Sequence, residues 1–173
     1  LAPHDEIECL DALEESSFDD YEVVISREEG ISTARNDGIQ RATADKLVFL
    51  DDDAHPEPGY LSLAADLLDK HPIVAGRVVH PEDDIFSNIA GNRAYDQGSE
   101  PRQTNRVVGC NMLFRREVFE TVGYFDENIN FGHDETLFVS RAQQEFPVFY
   151  HPDLVVEHQF EDSVISWWKK QLS

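Results

Sequence analysis

Cysteine, positive charge and long apolar runs are all scarce in this 173-residue sequence. Its two cysteines, Cys9 and Cys110, lack a metal-ligand spacing, so both read as small buried residues rather than as a disulfide. Lysine and arginine together number 14, and they form no basic stripe that could follow a phosphate backbone, which excludes a nucleic-acid partner. No apolar stretch is long enough to span a bilayer and no signal-peptide pattern is present. The expectation is a soluble, cytoplasmic chain with at most a peripheral contact with a membrane. Internal repeats and low-complexity linkers are missing too, so residues 1–173 are expected to form one domain.

What the sequence has in excess is negative charge. Asp and Glu number 35, giving a formal net charge of −21. At low ionic strength such self-repulsion burdens a fold, whereas molar salt screens it almost completely. The composition therefore fits a halophile's high-salt cytoplasm. An acidic tail or a disordered region fits poorly, because the acids are spread along the chain and 40% of residues are hydrophobic. The melting temperature is accordingly expected to rise steeply as KCl is raised into the molar range at fixed pH. A melting point indifferent to KCl would contradict the halophile reading.

The chain is organised around Lys46-Leu47-Val48-Phe49-Leu50-Asp51-Asp52-Asp53. Its apolar part reads as a short strand buried on both faces, and it ends in three carboxylates followed by the turn-rich run Ala54-His55-Pro56-Glu57-Pro58-Gly59. Ligands of open α/β sheets bind outside the carboxyl ends of strands, where this acid cluster falls. Alternation along an extended segment would turn Asp51 and Asp53 to one side and Asp52 to the other. A pair of hard oxygen ligands suits Mg²⁺ or Mn²⁺ carrying a diphosphate. The competing reading is a solvated acidic turn.

Around this stretch, helical and strand patterns alternate. Ile7, Leu10 and Leu13 predict a first helix; Tyr21–Ser26 predicts a strand; Ser32, as N-cap, opens a helix carrying Ala34, Ile39 and Ala42. Pro58 opens another helix with Leu61, Ala64, Leu67 and Leu68, and a strand follows over Ile73–Val79, with Gly76 as a bulge or close-approach point. Residues 80–106 lose the pattern and read as a long binding loop or a plain excursion. Val107–Arg115 reads as strand, Glu117–Val122 as a helix stopped by Gly123, and Asp134 starts a helix running to about Gln144. Val148–Tyr150 and Leu154–Val156 read as two short strands, and Val164, Ile165, Trp167 and Trp168 as a last amphipathic segment. The alternation argues an α/β fold with a doubly wound, mainly parallel sheet.

Several segments, taken in order, resemble the inverting family 2 glycosyltransferases of the GT-A fold. Gly30-Ile31-Ser32-Thr33-Ala34-Arg35-Asn36-Asp37-Gly38 is similar to that family's Gly-x-x-x-Ala-Arg-Asn-x-Gly helix, and Asp51-Asp52-Asp53 to its Asp-x-Asp motif. Gly109–Arg116 and Gly123–Glu127 resemble its acceptor-side segments, Gly132-His133-Asp134-Glu135 its catalytic-acid loop, and Val155–His158 the strand and histidine that follow. The family's opening strand has only Leu1-Ala2-Pro3 as counterpart, and its acidic, base-gripping loop is missing between Ser26 and Arg27. Because deleting a central strand should be fatal to the fold, both parts are expected to be omitted from this sequence rather than lost.

The resemblance implies a metal-dependent, inverting, hexosyltransferase-like enzyme with a nucleotide-sugar-binding half over 1–80 and an acceptor-side half over 81–173. It implies that Arg35, Asp51 and Asp52 bind the nucleotide-diphospho-sugar donor, that Asp53 and His158 hold Mg²⁺ or Mn²⁺, and that Asp134 is the general base, with Glu135 as its rival. The acceptor would be a glycan, lipid or protein hydroxyl. Each residue also has a plainer reading: Arg35 as an ion-pairing helix residue, His158 as structural, Asp134 as an acid favoured at a helix start. Two other functions remain open at this stage, a nucleotidyltransferase on a similar sheet and a non-catalytic acidic domain binding divalent cations.

Overall fold

The computed structural model describes residues 7–81, 95–129 and 133–158. Helices α1 (Glu8–Glu14) and α2 (Ile31–Arg41) precede β1 (Lys46–Phe49), β2 (His55–Pro56), α3 (Tyr60–Leu68) and β3 (Ile73–Val79). After them come β4 (Arg102–Thr104), β5 (Met112–Arg115), α4 (Arg116–Val122), α5 (Asp134–Ala142) and β6 (Val148–Glu157). The sheet runs β1-β5-β3-β6-β2, with β4 also on β6. Of the sheet expected to be mainly parallel, β1, β3 and β6 share one direction, but only β3 and β6 among them pair directly. β5 lies antiparallel between β1 and β3, so the sheet is mixed in its hydrogen bonding.

Both faces of the sheet are covered, as the apolar runs require. Met112, Phe114, Ile73, Ala75, Val148 and Tyr150 face α2, α4 and α5 through Ile39, Phe119 and Phe138. Leu113, Val74, Leu154 and Val156 face α3 through Tyr60, Ala64 and Leu68. Alternation explains β3 and β5, but in β6 the even-numbered residues change face between Tyr150 and Leu154. The register shows why: Gly76 pairs with His151 and Arg77 with Val155. The intervening residues 152–154 form a bulge, and an odd insertion inverts every later side chain. The two strands expected at Val148–Tyr150 and Leu154–Val156 are thus one strand with a bulge.

Asn111 closes that bulge. Its Nδ2 donates to the carbonyls of Arg77 and Leu154, both at 2.9 Å, and its Oδ1 accepts from the Tyr60 hydroxyl at 2.7 Å. A Cβ on Gly76 would collide with the Asn111 side chain, so the close approach foreseen at Gly76 is real. Arg115 and Arg116 also have structural work. Arg115 donates to the carbonyls of Leu68 and Asp69 at the end of α3, and Arg116 to those of Ile39 and Ala42 at the end of α2. Cations there satisfy carbonyls the helices leave free.

Three other expectations are corrected. Tyr21–Ser26 is not a strand, and a cleft of about 750 Å³ separates it from the outer edge of β1. Its β-favouring residues have no edge within hydrogen-bonding reach. Order before β5 is a turn closed by Asn111 N–H to the Val108 carbonyl (2.9 Å), rather than a strand from Val107. β2, unforeseen, forms where Pro56 was read as turn, on the sheet edge where proline is tolerated. The amphipathic segment at 164–168 lies outside the described residues.

Candidate active site

The acid cluster, Arg35 and the α5 carboxylates meet at the carboxyl end of β1. Asp51 to Asp53 sit in a turn (Ala54 N–H to the Asp51 carbonyl, 3.1 Å), not in the extended backbone assumed from alternation. Convergence comes instead from β2, whose pairing of His55 with Glu157 brings the turn against the end of β6. There His158 Nε2 lies 3.0 Å from Asp53 Oδ1 and 3.7 Å from Asp51 Oδ2. Asp52 has no ion pair with His158 among the described residues; it is exposed at the rim of the cleft, and its carbonyl accepts Cys9 N–H at 3.0 Å from the start of α1.

Burial pushes the Asp51 carboxyl above its usual range, opposed by His158 and Arg35 and reinforced by the charges of Asp53 and Asp52. Carboxylates crowded in this way favour a divalent cation between them. The donor set of two carboxylates and an imidazole suits Mn²⁺ or Mg²⁺. His158 Nδ1 is buried and, among the described residues, has no hydrogen-bond partner, so Nε2 is the ring nitrogen that faces the carboxylates.

The opposite side of the site is built by packing. Phe125 lies 4.5 Å (ring centroids) from Phe138 of α5, and Phe119 lies 5.0 Å from it. Asn36 of α2 clamps the Phe125 backbone, donating to its carbonyl and accepting its N–H, each at 3.0 Å. His133 adopts a left-handed conformation (φ 63°), rare for a residue with a Cβ, and turns the chain into α5. Asp134, the first residue of that helix, is thereby driven inward until its side chain is 0% exposed.

Arg35 answers that buried charge, with Nη1 2.6 Å from Asp134 Oδ2 and 3.8 Å from Glu135 Oε2. The Ser32 hydroxyl also donates to Asp134 Oδ2 at 3.5 Å, so the expected N-cap is a site residue, and Gly30 caps the helix instead. Asp134 Oδ1 is buried and, among the described residues, has no hydrogen-bond partner. A buried acceptor without a donor calls for an explanation, and a reacting hydroxyl is one. Burial first, then the hydrogen bond and charge of Asp134, push the Glu135 carboxyl above its ordinary 4.5.

That shift has a sign. A carboxyl raised in the folded state holds a proton that the unfolded chain releases, so its contribution to stability falls as pH climbs from 4.5 through the raised value. Glu135→Gln is therefore expected to gain stability over the parent across that window and to match it below. Urea unfolding at a series of pH values in high KCl reads this. A difference independent of pH would remove the raised carboxyl.

Gly109 makes the placement of Arg35 feasible, since a Cβ there would overlap the guanidinium Nη2. Gly109→Ala is expected to displace Arg35, lowering kcat by about 10²-fold, as loss of positioning does, while Mn²⁺ affinity measured by spin resonance stays unchanged. The cleft beside β1 is lined by Arg35, Asp51, Asp52 and Gly109 at this end, a size and setting suited to a small ligand. No described helix is long and apolar enough to cross a membrane.

Residues 7–123 match the model of the family described as Glycosyl transferase family 2. Among curated relatives, the glucosyl-dolichyl phosphate glucuronosyltransferase of Haloferax volcanii is 28% identical over 57% of this chain and 35% of its own. The dTDP-rhamnosyl transferase RfbF of Shigella flexneri is 24% identical over 83% of this chain and 53% of its own. The chain thus spans between a third and about half of these relatives. Among solved structures, the mannosyltransferase PcManGT of Pyrobaculum calidifontis, in complex with GDP-Man and Mn²⁺, superposes with a TM-score of 0.59 at 22% identity, over 82% of this chain and 40% of that one. GalNAc-T7 with UDP, GalNAc and Mn²⁺ gives 0.61 at 17% identity, over 78% and 31%. These likenesses show the GT-A fold.

Proposed function

Since the chain belongs to glycosyl transferase family 2, we propose that it is a metal-dependent, inverting glycosyltransferase that moves a sugar from a nucleotide-diphospho-sugar to an acceptor hydroxyl. The observation that carries this reading is the arrangement of charge about Arg35. Arg35 pairs with Asp134 beside Glu135, and its charge also acts on Asp51, which with Asp53 gathers at His158. The donor half is residues 1–80 and the acceptor half 81–173.

Asp53 and His158 hold the divalent cation, with Asp51 beside them, and the cleft at Asp51, Asp52 and Arg35 receives the donor. A cation bound there supplies Lewis-acid neutralisation of the departing diphosphate. Asp134 Oδ1 accepts the proton of the acceptor hydroxyl as its oxygen attacks the anomeric carbon from the face opposite the leaving group. Arg35 fixes Asp134 through Oδ2, leaving Oδ1 for the acceptor, so its role extends from donor binding to positioning of the base. Glu135, 19% exposed, stands next to that base. The complexes of PcManGT with GDP-Man and Mn²⁺ and of GalNAc-T7 with UDP and Mn²⁺ support the donor class and the cation.

The experiment is incubation with a panel of nucleotide-sugars in high KCl, with Mn²⁺ or with EDTA, following nucleoside diphosphate release and the anomeric configuration of the product. Mn²⁺-dependent release with inversion is expected. Release of pyrophosphate would make the chain a nucleotidyltransferase, and cation binding without turnover a non-catalytic domain.

A further inference from the structure

Cys110 stands where the cation site could use it. β1 and β5 are antiparallel, with Phe49 opposite Met112, so continuing the register two residues past each strand end sets Asp51 opposite Cys110. The side chains bear this out: the Cys110 sulfur, a carboxylate oxygen of Asp51 and a ring nitrogen of His158 all lie within 4.8 Å of one another. Cys110 is only 3% exposed, so its sulfur is held in place by packing. Ligands in a tetrahedral shell with bonds of roughly 2.0–2.3 Å lie about 3.5 Å apart, so the cluster needs to contract by little more than about 1 Å.

We propose that Cys110 is a soft ligand beside Asp51 and His158 at the cation site and determines which divalent ions that site retains. The proposal rests on the reading that Asp51, Asp53 and His158 hold a cation. Mg²⁺ and Mn²⁺ prefer oxygen and leave the thiol as a neighbour, whereas Zn²⁺ and Co²⁺ bind sulfur readily. On binding such an ion the S–H bond of Cys110 breaks, a sulfur–metal bond forms and the proton passes to solvent. The site therefore accepts hard ions through its carboxylates and is captured by thiophilic ions through Cys110. Cys9, the other buried cysteine, does not belong to the cluster and serves as the internal control.

The test is Co²⁺ titration of the nucleotide-free chain in high KCl, read by absorbance, with Mn²⁺ binding followed in parallel by spin resonance. A sulfur-to-cobalt charge-transfer band is expected in the parent and in Cys9→Ser, and none in Cys110→Ser. Zn²⁺ should displace Mn²⁺ from the parent at concentrations lower than from Cys110→Ser by more than the roughly 10–100-fold that loss of a mere supporting partner costs. Cys110→Ala repeats the comparison should the serine variant fold poorly. If Mn²⁺ and Co²⁺ bind without the band, or the band survives loss of Cys110, the assignment of Cys110 is wrong while the cation site stands. If neither ion binds the parent, the cation site falls as well.

Discussion

Asp134→Asn is expected to lower kcat for sugar transfer by about 10²–10⁴, the range for removing a general base, with nucleotide affinity nearly unchanged. The substitution preserves shape while removing basicity at the one buried carboxylate oxygen that, among the described residues, has no hydrogen-bond partner. It has a second expected effect. Arg35 would lose its 2.6 Å partner and keep only Glu135 at 3.8 Å, and breaking a buried pair from one side costs about 3–5 kcal/mol. Urea unfolding in high KCl measures that loss and identifies conditions in which the variant is folded for kinetics. Glu135→Gln should reduce kcat much less. Were Glu135→Gln to abolish transfer while Asp134→Asn spared it, the base would be Glu135, and Asp134 would be the anchor for Arg35.

Asp53→Asn is expected to weaken Mn²⁺-dependent binding of a nucleoside diphosphate by more than about 100-fold, beyond what an outer-shell change costs. Asp52→Asn should change it only a few-fold. Asp53 Oδ1 is 3.0 Å from His158 Nε2, whereas Asp52 has no ion pair among the described residues and its tie to α1 runs through the backbone, which Asn preserves. Calorimetry on the two variants compares a ligand with a neighbouring charge of the same type. Equal losses would show that the three aspartates act as a diffuse acidic patch.

Much of the fold could be read because apolar periodicity and end signals agreed with tertiary packing. α1, α3, β3, the stop of α4 at Gly123 and the start of α5 at Asp134 all lie close to where the pattern put them. The failures have one physical source, in that strands need partners that local sequence does not specify. Tyr21–Ser26 has strand composition but no paired strand, while His55-Pro56 has turn composition and pairs with β6. The parity change in β6 depends on Asn111, a residue about 40 positions away in sequence whose side chain bridges Arg77 and Leu154.

The site follows the same rule. Asp51 and Asp53 were legible from the strand that precedes them, although the turn between them was not. Ser32 was read by its local preference for an N-cap, yet it lies in the first turn of α2 and donates to Asp134, 102 residues away. Cys110 offered no spacing to read, because it is brought beside Asp51 and His158 only by tertiary structure at the ends of β1, β5 and β6. Arg35 is expected near the donor only by resemblance, whereas its buried partner on α5 depends on the Phe125–Phe138 packing that draws α5 toward α2.

The claim at the centre of this account is that the acid turn and His158 hold a cation through which a nucleoside diphosphate is bound. Calorimetric titration of the unmodified chain with UDP and with GDP in molar KCl, once with Mn²⁺ and once with EDTA, tests it most directly. Binding of at least one nucleotide with Mn²⁺, and of neither with EDTA, is the predicted result. Equal binding in EDTA, or no binding of either nucleotide with Mn²⁺ present, would contradict it.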